Sequence, residues 1–176
     1  PDPQRREAYA FLDAALQHKP PASIPPVATG TRTLVQIKSS VDDTEQPSFV
    51  SVPASYDAAK PTPLLVSLHS WSSDYKLRAP ELEAGAAARG WLVVQPNFRG
   101  PNDRPEACAS KLAQHDVLDA VEWMTANYNV DRTRIYLTGS SGGGHMTMQM
   151  VGNHPDLWAA ASAWVAGQPI RAGVWP

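Results

Sequence analysis

The stretch Ile135-Tyr136-Leu137-Thr138-Gly139-Ser140-Ser141-Gly142-Gly143-Gly144-His145 holds the residue types and spacing best suited to chemistry. It reads as an apolar strand running straight into a glycine-rich turn, with a helix over residues 146–151 behind it. Three kinds of site are built on that plan. A phosphate-cradling loop needs Gly, four residues, then Gly-Lys-Ser/Thr. Gly139 and Gly144 have that spacing, but His145 and Met146 stand where the lysine and the hydroxyl belong. A dinucleotide loop needs Gly-x-Gly-x-x-Gly; from Gly142 and Gly144 the last position falls on Thr147, and the strand comes late in the chain rather than first. Gly-x-Ser-x-Gly fits without adjustment, from Gly139 to Gly143. In a nucleophile elbow of this form the central residue, Ser141, is held in a strained backbone conformation that projects its hydroxyl from the sheet. Small neighbours two residues away let strand and helix approach. The chemistry implied is nucleophilic acyl transfer; the competing reading is a tight βα turn with no reaction to perform.

An elbow of this kind needs donors for a developing oxyanion. The N–H of Gly142, at the helix N-terminus, is one, and the loop after the third strand should supply another. There the run Leu64 to Leu68 ends in His69-Ser70-Trp71-Ser72-Ser73-Asp74, so the amide of Ser70 or Trp71 is the expected second donor. A serine is a poor nucleophile without a base and a carboxylate to orient that base. Of the five histidines, His18 falls in a leading helix, His69 in the oxyanion loop and His115 in a long helix. His145 rides the same helix as the serine and should pack near the sheet, and His154 precedes Pro155 in the loop beyond, so neither is the expected base. Asp103, Glu106, Asp116, Asp119, Glu122, Asp131 and Asp156 read as solvated faces and helix caps, and Cys108 as an inert thiol. Among the large aromatics, Trp158 and Trp175 read mainly as packing, whereas Trp71 and Trp164 are expected at the sheet's carboxyl edge, with Trp164 in a substrate pocket.

The elements that position these residues are legible in outline. Residues 3–18 carry apolar positions at helical spacing, and Pro20, Pro21, Pro25 and Pro26 make a stiff connector, so residues 1–28 form a leader to a domain at 29–176. Residues 31–38 and 48–53 alternate as strands around a polar turn and should lie antiparallel at one edge. Continuous apolar runs at 64–68, 91–95, 134–138 and 159–165 read as buried strands, with helices near 79–89 and over 110–128 between them. Strands alternating with helices of this length predict a three-layer α/β/α sandwich around a mostly parallel sheet. The chain of 176 residues suffices for one sizeable core. Its 15 Lys and Arg against 17 Asp and Glu, without a basic block, give nucleic acid no footprint. No apolar run approaches the roughly 18 residues of a membrane span. A single cysteine excludes an internal disulfide, and no His/Asp/Glu grouping has ligand spacing, so no metal and no cofactor are expected. The start at Pro1 without an apolar leader reads as a processed chain, and the six tryptophans lean toward export, with the compartment open.

Several segments also resemble a family. Leu65-Val66-Ser67-Leu68-His69-Ser70-Trp71 resembles the strand and His-Gly loop of α/β-hydrolases, with Ser70 in place of the usual glycine. Gln95-Pro96-Asn97-Phe98-Arg99-Gly100 is similar to the loop after the fourth strand in prolyl-oligopeptidase-like members. Asp116-Val117-Leu118-Asp119-Ala120-Val121 and Asp131-Arg132-Thr133-Arg134-Ile135-Tyr136 resemble their next helix and the entry to the elbow strand. The resemblance, over about residues 30–165, implies an acid and then a base on loops after later strands. The tail after residue 165 is too short for two further βα units of roughly 30 residues each. The acid and base are therefore expected outside residues 1–176, with a C-terminal continuation or a second fragment supplying them. The implied activity is hydrolysis of a small-molecule ester through an acyl-enzyme on Ser141. A peptidase without the family's propeller, and a non-catalytic hydrolase-like binding protein, are the alternatives.

Overall fold

The computed structural model describes residues 29–164. The N-terminal helix expected over 3–18, its connector and the apolar tail beyond 164 lie outside the described residues. Six strands form one sheet in the order β1-β2-β4-β3-β5-β6. The strands β1 (Thr31–Lys38) and β2 (Glu45–Val52) form the expected antiparallel hairpin, with Thr31 opposite Val52 and Lys38 opposite Glu45. β2 runs antiparallel to β4 (Leu92–Pro96); β4, β3 (Thr62–Leu68), β5 (Val130–Ser140) and β6 (Ala160–Trp164) are all parallel. Helix α1 (Pro80–Ala88) connects β3 to β4, α2 (Lys111–Asn127) connects β4 to β5, and α3 (Gly142–Asn153) connects β5 to β6.

The three layers follow from alternation along buried strands. Leu64, Val66 and Leu68 of β3 join Val94, Ile135 and Leu137 in the larger core, which takes in Val117, Val121 and Met124 of α2 and Met146 and Met150 of α3. Leu65 and Val93 point the other way, onto Ala86 of α1. Helix α2 begins where Ser110 accepts a hydrogen bond from the Ala113 N–H, which satisfies one of the donors a helix N-terminus leaves open.

Four expectations need correction. The helix after the elbow starts at Gly142, not near residue 146, because three glycines form its first turn against the sheet. The run at 159–165 does form a strand, but all of Ala160–Trp164 is exposed and, among the described residues, it pairs only with β5. Asp116 is not a solvated acid: it is 3% exposed and bound to Arg99. Asp119 is partly enclosed as well, and burial raises its pKa against the hydrogen bond it accepts from Ser40 N–H.

Candidate active site

Strand β5 and helix α3 meet at Ser141, whose backbone sits at φ 54° and ψ −113°. A side chain in the left-handed region costs about 1–3 kcal/mol and persists only where the surroundings over-determine it. Here the Ser141 N–H donates to the Trp164 carbonyl of β6 at 2.9 Å, and the Ser141 carbonyl accepts from the His145 N–H at 2.9 Å. Ser141 is exposed, and its side chain makes no helix-capping hydrogen bond. Close packing explains the flanking residues: a Cβ on Gly139 would stand 2.4 Å from the Gly143 carbonyl, and one on Gly143 would stand 2.4 Å from the Leu68 oxygen. The turn can be built only with residues that lack a side chain there.

The loop after β3 lies across the start of α3. A Cβ on Gly142 would meet the Trp71 nitrogen at 2.6 Å, so the Trp71 backbone and the first turn of α3 are adjacent. Ser70 is not among the residues with positive φ, which is why serine is tolerated where the resembled loops carry glycine; the left-handed residue is Ser72, at φ 55°. His69 locks this loop. Its ring stacks on Phe98 with centroids 3.9 Å apart, Nε2 lies 2.8 Å from the Asn97 oxygen and Nδ1 lies 3.1 Å from the Ser70 oxygen. Burial lowers the His69 pKa despite the two carbonyls, and in the neutral ring the shorter contact assigns the proton to Nε2.

The structure brings Ser141, Gly142 and Trp71 together, with Ser70 lining the same edge of the sheet. No described histidine hydrogen-bonds the Ser141 hydroxyl. His145 is buried on α3 and burial lowers its pKa; His154 caps the far end of that helix, its pKa lowered by burial and by His115. Trp158 packs in the core and donates Nε1–H to the Met150 carbonyl. The Cys108 thiol is half-buried, and burial raises its pKa.

A cavity of about 290 Å³ opens at the carboxyl ends of β3, β4, β5 and β6. Ser70, Tyr75, Leu77, Leu82, Gln95 and Trp164 line it together with Gly139 and Ser140, the two residues before the elbow serine. Trp164, among these lining residues, is 63% exposed. Among the described residues no group of three His, Cys, Asp or Glu could hold a metal ion, and no helix is long and apolar enough to cross a membrane. Sequence reasoning missed two features: the locking of His69 and the enclosure of Asp116. For Asp116 a signal existed, since it lies three residues after Ala113 and four before Ala120, on the buried stripe of α2.

Parallel strands, helices on both faces and a strained serine between strand and helix define an α/β-hydrolase. The family model described as "Prolyl oligopeptidase family" matches residues 81–169, half of the chain, and the protein belongs to that family. Over 91 residues it is 40% identical to a probable acetylxylan esterase A of Aspergillus flavus, covering 48% of this chain and 29% of the relative. Over 87 residues it is 29% identical to feruloyl esterase B of Talaromyces funiculosus, covering 46% of this chain and 24% of that protein. The chain thus spans less than a third of the length of these relatives. The acetyl xylan esterase structure from Aspergillus awamori superposes with a TM-score of 0.64 at 19% identity, covering 80% of this chain and 53% of the other; it has the same fold.

Proposed function

We propose that this chain carries the nucleophile of a serine hydrolase that cleaves carboxylic esters. The observation that carries the reading is Ser141: an exposed serine at φ 54°, between a parallel strand and a helix N-terminus. A general base takes the hydroxyl proton as the Ser141 oxygen attacks the ester carbonyl, and the alkoxide that forms is held by the Gly142 N–H and the Ser70 or Trp71 N–H. Collapse of the tetrahedral intermediate expels the alcohol, which takes a proton from a general acid, and leaves the acyl group on Ser141. Water then attacks the acyl-enzyme, giving up a proton to the same group acting as base, and that group returns the proton to the Ser141 oxygen as the carboxylic acid leaves. The histidine and carboxylate this cycle requires come, in this reading, from outside residues 29–164, since the His69 Nε2–H is committed to the Asn97 carbonyl and its ring to the stacked Phe98.

Acylated plant polysaccharides are the proposed substrates. The relatives' names, acetylxylan and feruloyl esterase, support this class, and a cavity of about 290 Å³ beside the elbow has room for an acyl group larger than acetyl, with Trp164 among its lining residues. Peptide cleavage is the second reading, favoured by the description of the family model.

Two experiments on the full-length protein test these readings. A fluorophosphonate probe should label the wild type and fail to label Ser141→Ala; an unlabelled wild type would indicate a non-catalytic binding protein. Turnover of p-nitrophenyl acetate and a p-nitrophenyl aryl ester without turnover of aminoacyl anilides supports the esterase, and the reverse pattern establishes the peptidase.

A further inference from the structure

We infer that Arg99 is a positioning residue for the oxyanion loop, acting through the turn at residues 97–100 and through His69. The inference rests on the proposed role of Ser141 as nucleophile and extends it to a side chain that never touches substrate.

The turn after β4 is unusually demanding. Phe98 (φ 33°) and Arg99 (φ 78°) are consecutive side-chain-bearing residues in the left-handed region, followed by Gly100 at φ 76°. The turn closes with Gly100 N–H donating to the Asn97 carbonyl at 2.9 Å. Two such residues together store several kcal/mol, roughly 1–3 each, so something must hold them.

The Arg99 guanidinium is that clamp. Its Nε and Nη2 donate to the two oxygens of Asp116 at 2.6 and 2.8 Å, a fork-to-fork pair with α2. Nη1 and Nη2 donate to the two oxygens of Asp42 at 2.7 and 3.0 Å, and Nη2 also reaches Ser39 Oγ at 2.8 Å. Its backbone N–H donates to Gln46 Oε1 at 3.4 Å. One side chain therefore fixes the turn against the long helix and against the turn between β1 and β2.

What the turn presents on its other side is functional. The Asn97 carbonyl accepts from His69 Nε2, and the fully buried Phe98 ring stacks on the same imidazole. His69 Nδ1 in turn lies 3.1 Å from the Ser70 carbonyl, whose own peptide bond carries the Trp71 nitrogen beside Gly142. Guanidinium, strained turn, imidazole and oxyanion donor thus form one contiguous chain of contacts. If the turn relaxes, the Asn97 carbonyl swings and the Phe98 ring withdraws, and the amide loses its aim. A misplacement of about 1 Å at a catalytic donor can cost on the order of 100-fold.

The test measures steady-state kinetics, melting temperature and the affinity of a trifluoromethyl ketone, which forms a tetrahedral adduct, for the full-length enzyme. Arg99→Ala and Arg99→Lys should both lower kcat about 10- to 100-fold with KM within about 2-fold, since the oxyanion donors act mainly in the transition state and lysine lacks the planar fork. Inhibitor affinity should fall in parallel with kcat/KM. Val121→Ala, a core truncation elsewhere on α2, should lower the melting temperature and leave kcat and inhibitor affinity unchanged. Arg99 variants that match Val121→Ala, less stable but kinetically normal, would overturn the inference. Should both Arg99 variants fail to fold, Asp42→Asn reads the same chain from its surface end. It should lower kcat about 3- to 10-fold, and a normal kcat there overturns the inference equally. A wild type without Ser141-dependent turnover defeats the proposed function itself, whereas Ser141-dependent turnover untouched by Arg99 defeats only the positioning role.

Discussion

The backbone of Trp71 lies so close to Gly142 that a Cβ on the glycine would stand 2.6 Å from the Trp71 nitrogen and 3.0 Å from its Cα. Backbone cannot retreat as the end of a side chain can, so Gly142→Ala must push apart the two segments that carry the proposed oxyanion donors. It should destabilise the fold by about 1–3 kcal/mol and lower kcat at least about 100-fold. Gly152→Ala, on the same helix with nothing within 4 Å of its Cβ, should instead stabilise by about 0.5–1 kcal/mol. Thermal melts and ester turnover of the two variants decide it; equal behaviour would mean the two segments are not in contact.

The backbone conformation of Ser141 costs stability, and the proposed nucleophilic role gives a reason for it. At φ 54° it bears a strain that glycine does not feel, and a glycine there costs back only part of the gain through the entropy of the unfolded chain. Ser141→Gly should therefore raise the unfolding free energy by about 1 kcal/mol while abolishing fluorophosphonate labelling. Ser141→Ala should be equally inert but no more stable than the wild type. Chemical denaturation of the three proteins checks this, and a destabilised Ser141→Gly would show that the backbone there is unstrained.

The fold was legible where local pattern and tertiary role agree. The run Leu64 to Leu68 is apolar because both faces of β3 are covered, and Ser110 caps α2 as its side chain suits it to do. Legibility failed where a distant partner decided the outcome. Three glycines argue against a helix by propensity, yet α3 begins at Gly142 because only glycine can approach Trp71 and Leu68 there. Asp116 read as a surface acid because its partner, Arg99, lies on a turn whose left-handed backbone nothing in the local sequence announces. Within the candidate site, Gly139 to Gly143 was readable as a motif, whereas the locking of His69 needs Asn97 and Phe98, brought near by the pairing of β3 with β4.

Acid should destabilise the protein earlier than its carboxylates alone would. Burial lowers the pKa values of His69, His145 and His154, so the unfolded chain binds their protons more readily than the folded one. Their contribution is fully present above the usual histidine value of about 6.5 and is lost as pH falls through that value toward the lowered folded values. Asp119, with its raised pKa, acts in the opposite sense at lower pH. Urea unfolding at pH 7.5 and 5.5 should show the lower stability at pH 5.5, and His69→Gln should shrink that difference. A stability that is flat or rising toward pH 5.5 contradicts the assignment.

Asp116 and Arg99 make a pair in which the aspartate side chain is fully enclosed and the arginine side chain is 11% exposed. Removing one member leaves the other charge without its partner away from water, which costs about 3 kcal/mol. Asp116→Asn should approach that figure, although Asp42 still holds one side of Arg99. Lys38→Ala, which breaks an exposed pair with Asp43, should change stability by no more than about 0.5 kcal/mol. Equal losses in the two variants, measured by denaturant titration, would refute the contrast.

Trp164 offers two different things to the site, and its side chain can be removed without touching the other. Its carbonyl accepts the Ser141 N–H, a backbone bond that any residue can supply, while the residue, 63% exposed, lines the cavity beside the elbow. Trp164→Ala should therefore leave the elbow in place and cost only what the indole gives to a bound acyl group. For an aromatic acyl ester that loss is a stacking contact of about 1–1.5 kcal/mol, or roughly a tenfold rise in KM. For an acetyl ester, too small to reach the indole, KM and kcat should stay within about twofold. The comparison is made with p-nitrophenyl acetate and a p-nitrophenyl cinnamate on the full-length protein. If kcat instead falls equally for both substrates, the tryptophan supports β6 and the elbow, and the indole has no part in choosing the acyl group.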